Sequence, residues 1–316
     1  MTTGILILNY NTAQDSINCI ESVERYNTTP VKYIVVDNGS PDKQSIQTLE
    51  HYLESAFAGR YLKTDGPAGI LPYMTFLPSP SNDGYAEGNN KGLRLAFEDP
   101  EITHILVINN DILLTEDILP SLLDASERLS RCGIVSPLLY RKDGKTLELN
   151  CARRCPSNFS VMLPFLMHNR DLGHILTRNG DKNQILSDSP ALLQTEAFEI
   201  DLPSGSCMFA DKELLRRMEG FDPGTFLYYE ENILFKKTEA LQLKNYCIPG
   251  VSAVHLGAHS TRMSSNSFLQ KCNADSADHY LRRYGKMSIP EKMLWGMVRW
   301  AYLFRLKVKG WIGRGK

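Results

Sequence analysis

The sequence predicts an α/β fold in which a mostly parallel central sheet is flanked by helices and followed by a helical C-terminal tail. Three apolar runs typical of buried strands each end in Asn or Asp, at residues 4–11, 33–40 and 105–111. Segments with helical spacing follow the first two runs, over residues 12–26 and 40–57. This alternation of strand, short turn and helix predicts right-handed βαβ units and therefore a parallel sheet.

The two predicted helices begin with residue types that favour helix starts. Thr12 is the expected N-cap of the first helix, whose apolar face includes Ile20 and Val23. Ser40 is the expected N-cap of the second helix, with Pro41 at its first helical position. Each helix would return the chain to the same end of the sheet, so that successive strands run in one direction.

The polar residues that end these strands form the first candidate site. The carboxyl ends of parallel strands meet at one edge of the sheet, where α/β folds bind ligands. Carboxylate oxygens are the ligands that Mg²⁺ or Mn²⁺ prefers, with substrate phosphates completing the shell. An Asx turn without a ligand is the structural alternative for any single one of them. Four such residues are expected at this edge: Asn9, Asn11, Asp37 and Asp111.

A glycine-rich segment at residues 82–93 precedes a third predicted helix, which is expected to end around Phe97. Asn89 and Asn90 would add amide groups near the start of that helix, where the helix dipole favours anions. The segment is neither a dinucleotide fingerprint nor a P-loop. A glycine-rich loop without a ligand is the alternative. Its glycines would let the backbone approach a ligand closely: Gly84, Gly88 and Gly92.

Composition limits the classes of protein that this chain can belong to. With 316 residues it can bury a substantial core, and its formal net charge of -1 gives no polyelectrolyte character. Seven scattered cysteines favour a reducing compartment, and the spacing of Cys151 and Cys155 does not predict a zinc site. Neither a signal peptide nor a membrane-spanning apolar run is recognisable, so a cytoplasmic location is expected.

The tail differs from the rest of the chain in its charge. From Arg282 onward there are ten Lys or Arg and one acid, Glu291, and all three tryptophans lie in this region. A basic amphipathic helix of this kind is typical of anionic membrane surfaces; a packed helix or a homodimer interface is the alternative. No nucleic-acid motif accompanies it, so no nucleic-acid partner is expected. Apolar residues recur at helical spacing: Leu294, Met297, Val298, Ala301, Phe304, Val308 and Trp311.

Four of the segments above resemble the glycosyltransferases of family 2, especially rhamnosyltransferase-type enzymes of bacterial surface-polysaccharide synthesis. They are LNYN, VVDNGS, GYAEGNN and INND, in this order and at roughly this spacing. Further segments resemble the family's acceptor-side, acidic-pair and late-histidine motifs: PSGSCM, GFDPGTFLYYEEN and VHLGAHST. The resemblance implies a GT-A fold over residues 1–261, with a nucleotide-sugar half (about 1–115) and an acceptor half (about 116–261). Residues 262–316 would be an extension.

The resemblance also implies a metal-dependent donor site for a nucleotide-diphosphate sugar. Mn²⁺ or Mg²⁺ would bind Asp111, because Asn109 replaces the first acid of the family's usual pair. His255 would be the second ligand, with His259 as the alternative. Asp37 would hydrogen-bond the nucleotide base or ribose. The full set expected to bind the nucleotide is Asn9, Asn11, Asp37, Asn89, Asn90, Asn109 and Asp111.

The acidic pair at residues 230 and 231 is the candidate for the catalytic base. The family places its base at the second acid, so Glu231 is the expected base and Glu230 the reserve. Acids at a helix start also suit the helix dipole without any function. Three aromatic residues, Phe226, Tyr228 and Tyr229, would shape a wall beside the acceptor sugar. Three more residues would shape the acceptor side, although Asp222 could equally be structural: Gly205, Ser206 and Asp222.

These residues predict an inverting glycosyltransferase acting on a hydroxyl of a glycan or lipid-linked glycan, at the inner face of the cell membrane if the tail binds lipid. Inversion is what the resemblance implies. A non-catalytic relative that binds a nucleotide sugar or glycan in an assembly complex is the alternative, favoured by Asn109 alone. A nucleotidyltransferase fits the late acidic pair and His255 poorly.

Overall fold

The structure is a computed structural model that describes residues 1–167, 185–257 and 266–313, with side chains described up to residue 308. The strands are β1 (Thr2–Asn9), β2 (Val31–Asp37), β3 (Tyr61–Lys63), β4 (Met74–Pro78), β5 (Ile102–Asn109), β6 (Ile112–Leu114), β7 (Cys132–Arg141), β8 (Ala152–Arg153), β9 (Phe198–Ile200), β10 (Leu202–Pro203), β11 (Cys207–Asp211) and β12 (Lys244–His255).

The helices flank the sheet that most of these strands form, and they also make up the C-terminal tail. They are α1 (Ala13–Tyr26), α2 (Lys43–Ala56), α3 (Gly84–Glu98), α4 (Leu119–Arg128), α5 (Asn158–Leu166), α6 (Ile185–Asp188), α7 (Lys212–Arg217), α8 (Glu230–Ala240), α9 (Asn266–Arg283) and α10 (Ile289–Gly313). Among the described residues, no helix is both long enough and apolar enough to cross a bilayer.

Ten of the described strands form one sheet in the order β3-β4-β2-β1-β5-β11-β7-β12-β6, with β9 beside β12. The first five strands in this order are all parallel. β11 then runs antiparallel to both β5 and β7, while β12 is parallel to β7. The predicted fold class, a mostly parallel sheet flanked by helices with a helical tail, is therefore confirmed.

The start of the second helix differs from the prediction. α2 begins at Lys43, because the Asp42 carboxylate accepts hydrogen bonds from the N–H groups of Gln44 and Ser45. The Ser40 hydroxyl instead donates to Asp37. A carboxylate that satisfies two free helix N–H groups stabilises this later start. Similarly, Thr12 occupies the N-cap position of α1, but its side chain makes no capping hydrogen bond.

The glycines of α3 serve packing, which corrects the prediction of a ligand-binding loop. They lie four residues apart within a helix, and Gly88 and Gly92 face side chains of β1. A Cβ at Gly92 would lie 2.2 Å from Cδ1 of Leu6. Their lack of a side chain therefore brings the helix close to the sheet. Gly84 adopts a left-handed φ of +83°, and a Cβ there would lie 2.2 Å from the carbonyl oxygen of Phe226.

The tail is joined to the domain by a separate core formed by α5, α8, α9 and α10. Trp295 is fully buried in this core, where its indole N–H donates to Asp278 at 2.8 Å. Its ring meets the edge of Phe165 at a centroid distance of 5.2 Å. Because Ile233 of α8 belongs to the same core, the tail helices support the helix that begins with the acidic pair.

Replacing Gly84 with Ala tests the close contact between α3 and Phe226. We expect Gly84→Ala to lower the free energy of unfolding by about 1–3 kcal/mol, because a left-handed backbone and a backbone clash oppose any Cβ. Urea unfolding measures this loss. Gly66→Ala is the matched control, since nothing lies within 4 Å of a Cβ at Gly66. Equal stabilities for the two variants would contradict this packing.

Candidate active site

The carboxyl ends of β1, β2 and β5 meet at one edge of the sheet, as the sequence predicts. Asn9 lies opposite Asp37 in the β1–β2 register, and Leu8 lies opposite Asn109 in the β1–β5 register. Asp111 follows two residues after the end of β5. The structure therefore brings the predicted strand-end residues together.

Asn9 and Asp37 are buried and hydrogen-bonded to protein groups. The Asn9 amide donates to Asp37 Oδ1 at 2.7 Å, and the Ser40 hydroxyl donates to the same oxygen at 2.6 Å. The Ser40 hydroxyl oxygen in turn accepts the Asn11 backbone N–H at 2.8 Å. These contacts hold the ends of β1 and β2 together. Contact of Asn9, Asn11 and Asp37 with a nucleotide stays a prediction.

Asn89 and Asn90 lie inside α3, five and six residues after its first residue, so their predicted place near a helix start is wrong. The Asn90 amide donates to the Phe221 carbonyl, and its oxygen accepts the Phe221 N–H, both at 2.9 Å. Asn89 donates to the Tyr85 carbonyl at 2.9 Å. Asn90 thus connects α3 to the segment before the acidic pair. Contact of Asn89 or Asn90 with a nucleotide stays a prediction.

Asp111, His255 and Glu148 form a chain of contacts at the sheet edge. His255 ends β12, where its Nε2 lies 3.3 Å from Asp111 Oδ2 and its Nδ1 lies 2.8 Å from Glu148 Oε2. Burial by itself lowers the pKa of His255, but the hydrogen bonds with Asp111 and Glu148 outweigh burial and raise it to about 10. Without a metal, an imidazolium therefore offsets the charge of the two carboxylates.

The donor atoms at this point fit a hard divalent cation that shares its shell with a substrate. Asp111 Oδ1 is buried and accepts no hydrogen bond from the residues that the structure describes. Ligand atoms at adjacent corners of an octahedral Mg²⁺ lie about 3 Å apart, close to the Asp111–His255 separation. The described residues contain no cluster of three or more metal-binding side chains, so substrate oxygens would complete the shell. The alternative ligand, His259, lies outside the described residues.

The segment before β11 connects this edge to the acidic pair. Because β11 is antiparallel to β5, the Ser206 carbonyl accepts the Asn109 N–H at 2.8 Å. The neighbouring Gly205 N–H donates to Glu231 Oε1 at 3.1 Å. Arg153 approaches the same oxygen at 3.8 Å. Gly205 and Ser206 thus join the strand end that leads to Asp111 with the predicted base.

The two acids of the pair lie in different environments. Glu231 is partly exposed, whereas Glu230 is buried and its Oε1 has no hydrogen-bond partner among the described residues. Burial, with a smaller contribution from the Glu231 charge, raises the pKa of Glu230 to about 8. The geometry therefore favours Glu231 as the residue that can meet a substrate.

Two of the aromatic residues before the acidic pair, Phe226 and Tyr229, pack against α9, and their contact with an acceptor sugar stays a prediction. Phe226 meets the ring of Phe268 at 5.4 Å, and Tyr229 stacks on Tyr280 at 5.7 Å. Tyr228 and Tyr229 both adopt left-handed backbone angles, with φ of 78° and 70°. Such angles are costly for bulky residues and set the direction in which α8 begins.

Asp222 is held by the tail. Its carboxylate lies 3.0 Å from His279 Nε2, accepts a hydrogen bond from the Tyr284 hydroxyl, and accepts the Gly224 N–H at 2.8 Å. Burial opposes ionisation, but the hydrogen bonds from Tyr284 and His279 prevail and lower the pKa of Asp222 to about 2. Asp222 thus anchors α9, and its predicted contact with an acceptor stays a prediction.

Three residues of this site were missed by the sequence predictions. Tyr85 lies within the GYAEGNN motif, and its hydroxyl donates to the Gly205 carbonyl at 2.6 Å. That motif was the available signal for it. Glu148 and Arg153 come from the long segment after β7, which carries no motif or periodicity, so only the folded chain reveals them.

Comparison with known proteins agrees with this geometry. The model of the family described as Glycosyl transferase family 2 matches residues 4–191, more than half of the chain. The chain belongs to this family. The glycosyltransferase is 25% identical over 247 residues to the N-acetylglucosaminyl-diphospho-decaprenol L-rhamnosyltransferase of Mycobacterium tuberculosis, which covers 76% of this chain and 71% of the relative. The rhamnosyltransferase WbbL of Escherichia coli K12 is 25% identical over 207 residues, covering 63% and 71%.

Solved structures share the fold of this glycosyltransferase. GalNAc-T7 with UDP, GalNAc and Mn²⁺ aligns with a TM-score of 0.57 at 12% identity, covering 96% of this chain. The chain spans only about half, 54%, of that structure. S. aureus TarS 1-349 in complex with UDP-GlcNAc aligns with a TM-score of 0.53 at 11% identity, covering 96% of this chain and 72% of TarS. The family resemblance and the GT-A-like fold predicted from sequence are both confirmed.

The burial of Glu230 predicts an unusual pH dependence of stability. A carboxyl whose pKa is raised on folding binds more protons in the folded state than in the unfolded state. Its contribution to the free energy of unfolding is therefore complete below its unfolded pKa and is lost as pH rises towards about 8. We expect Glu230→Gln to remove this loss. At pH 9 the free energy of unfolding of the variant should therefore exceed that of the wild type by more than about 1 kcal/mol, the equivalent of one pKa unit.

Urea unfolding from about pH 5 to about pH 9 measures this effect, because that range spans the unfolded and folded pKa values of Glu230. Glu231→Gln is the control, because Glu231 is partly exposed and should alter this slope little. If the unfolding free energies of the wild type and Glu230→Gln differ by the same amount across this pH range, a raised pKa at Glu230 is contradicted.

Proposed function

We propose that this family member is an inverting, metal-dependent glycosyltransferase that moves a sugar from a nucleotide-diphosphate sugar to a hydroxyl of a glycan or lipid-linked glycan. The observation that carries the proposal is the Gly205–Ser206 segment, which contacts Asn109 on one side and Glu231 on the other. The strand end that leads to Asp111, the proposed metal ligand, and the candidate base Glu231 thereby lie on two sides of one short segment. Residues 1–115 would form the donor half and residues 116–261 the acceptor half.

The donor chemistry requires the charge of the departing diphosphate to be neutralised. Asp111 and His255 would hold Mn²⁺ or Mg²⁺, which supplies Lewis-acid stabilisation of that charge when bound. Glu148 would fix the orientation of the His255 ring, because a carboxylate on the second ring nitrogen is the usual support of a histidine ligand. Asn109 would contact the sugar or its phosphates from the same strand end.

The acceptor chemistry requires a base beside the attacking hydroxyl. Glu231 would take the proton, because it is the partly exposed acid of the pair and the Gly205 N–H fixes its carboxylate. The acceptor oxygen would then displace the diphosphate directly, with inversion at the anomeric carbon. Ser206 and Tyr85 would line the path between base and donor.

The relatives support the classes of substrate. The M. tuberculosis relative is named for transfer of L-rhamnose to a lipid-linked acceptor, and TarS is titled as a complex with UDP-GlcNAc. We infer by similarity that the acceptor here is a lipid-linked glycan of bacterial surface polysaccharide, modified at the cytoplasmic face of the membrane.

A non-catalytic, sugar-binding relative is the second candidate, favoured by Asn109 in place of an acid. Release of nucleoside diphosphate from a panel of sugar nucleotides with Mn²⁺ or Mg²⁺ distinguishes the two. We expect release that depends on both acceptor and metal. Tight donor binding without any release would support the non-catalytic candidate instead.

The metal site can be tested without turnover. We expect Asp111→Asn to abolish the Mn²⁺-dependent part of nucleoside diphosphate binding, measured by calorimetry with and without Mn²⁺. Glu148→Gln should weaken Mn²⁺ binding by roughly 10–100-fold, the usual effect of losing a group that supports a metal ligand. Asp124→Asn is the control, because Asp124 is an exposed acid paired with Arg128. Unchanged Mn²⁺ dependence in Asp111→Asn would exclude this site.

The base can be tested by separating transfer from binding. We expect Glu231→Gln to reduce the transfer rate by roughly 10²–10⁴-fold while nucleoside diphosphate affinity stays the same. Glu230→Gln should retain most of the transfer rate, because Glu230 is buried. The opposite order of effects would assign the base to Glu230, and two fully active variants would place it elsewhere.

A further inference from the structure

The last helix presents a second apolar face that nothing in the described chain covers. α10 packs on the domain through Trp295 and Val298, which are buried against α5 and α9. Other large side chains of α10 are between 40 and 75% exposed, and we call them the outer stripe: Ile289, Met293, Met297, Trp300, Phe304 and Val308. Their spacing of three or four residues aligns them along one face for about 28 Å.

The structure divides the apolar residues of the tail into two sets with different roles. Trp295 and Val298 belong to the buried core and the partly buried Leu294 packs against it, so those residues stabilise the domain. Met297, Phe304 and Val308 belong to the outer stripe. Within that stripe the rings of Trp300 and Phe304 stack at 5.5 Å. One face of α10 is therefore packed against the domain, and another face is apolar and exposed.

The charge around the outer stripe is strongly positive. Lys292, Arg305 and Lys307 are exposed on α10. At about 100° per residue, Arg305 and Lys307 fall on opposite sides of the stripe. From Arg282 onward the sequence carries ten basic residues and one acid, of which Arg282, Arg283 and Arg299 pair with acids earlier in the chain. An occupant of this surface must accept apolar side chains in its centre and offer negative charge at its margins.

We propose that the outer stripe docks the protein on the surface of an anionic lipid bilayer. The stripe would lie among the upper acyl chains, and the flanking cations would meet the lipid headgroups. A second copy of the chain fits less well, because a symmetric contact between two stripes would bring the exposed cations Lys292, Arg305 and Lys307 of both copies together. This surface goes beyond the proposed catalytic function and does not depend on it.

Vesicle co-sedimentation of the full chain tests the proposal. We expect the wild type to pellet with phosphatidylcholine vesicles containing about one third phosphatidylglycerol, to pellet weakly with phosphatidylcholine alone, and to dissociate as salt rises. Met297→Ser and Trp300→Ser should each lower the partition coefficient by roughly tenfold, as the loss of one buried apolar side chain predicts. Ile70→Ser is the matched control, because Ile70 is 62% and Met297 is 63% exposed.

Two further readouts make the result decisive. Lys292→Glu combined with Lys307→Glu should flatten the salt dependence, and nucleoside diphosphate binding by each variant should match the wild type. That binding also separates a failure of this surface from a failure of the proposed function. Equal pelleting with both kinds of vesicle, or stripe variants that pellet like the wild type, would overturn the proposal. Light scattering could instead give a mass of two chains for the wild type and of one chain for Met297→Ser. That result would overturn the proposal in favour of a dimer.

Discussion

The antiparallel pairing of β11 with β5 brings the proposed base of this glycosyltransferase close to the strand ends that we propose hold the donor. Because Cys207 lies opposite Ile108, the Gly205–Ser206 segment ends against Asn109, two residues before Asp111. β5 also pairs with β1 on its other side, so one strand borders both the proposed donor edge and the proposed acceptor side. A register shift of one residue would reverse the facing of every side chain in β11 and separate Glu231 from the donor edge.

The buried acids of the site are each stabilised in a different way. Asp37 accepts hydrogen bonds from Asn9 and Ser40, whereas Asp111 and Glu148 each contact one ring nitrogen of His255. A buried carboxylate is costly unless it is paired or neutral, and Glu230 meets this requirement through its raised pKa. Asp111 Oδ1 and Glu230 Oε1 are both buried without a described partner, and of the two only Asp111 lies beside a second candidate metal ligand, His255, so its surroundings are the point most suited to an added cation.

The sequence allowed the meeting of the polar strand-end residues at one edge of the sheet to be predicted, because strand ends have a simple signature, an apolar run followed by Asn or Asp. The roles of Gly88 and Gly92 were mistaken because close approach to a ligand and close packing on a sheet both select glycine, and only the neighbouring Leu8 and Leu6 distinguish them. Glu148 could not be predicted, since it reaches His255 only through the pairing of β7 with β12.

The most direct test of this account is a crystal structure of the protein with Mn²⁺ and UDP or another nucleoside diphosphate, recorded at a wavelength where manganese scatters anomalously. The account predicts one strong anomalous peak bonded to Asp111 and His255, with diphosphate oxygens completing the shell and Glu231 facing the open side of the diphosphate. A metal bound by other residues, or a diphosphate bound away from the ends of β1 and β5, would contradict it.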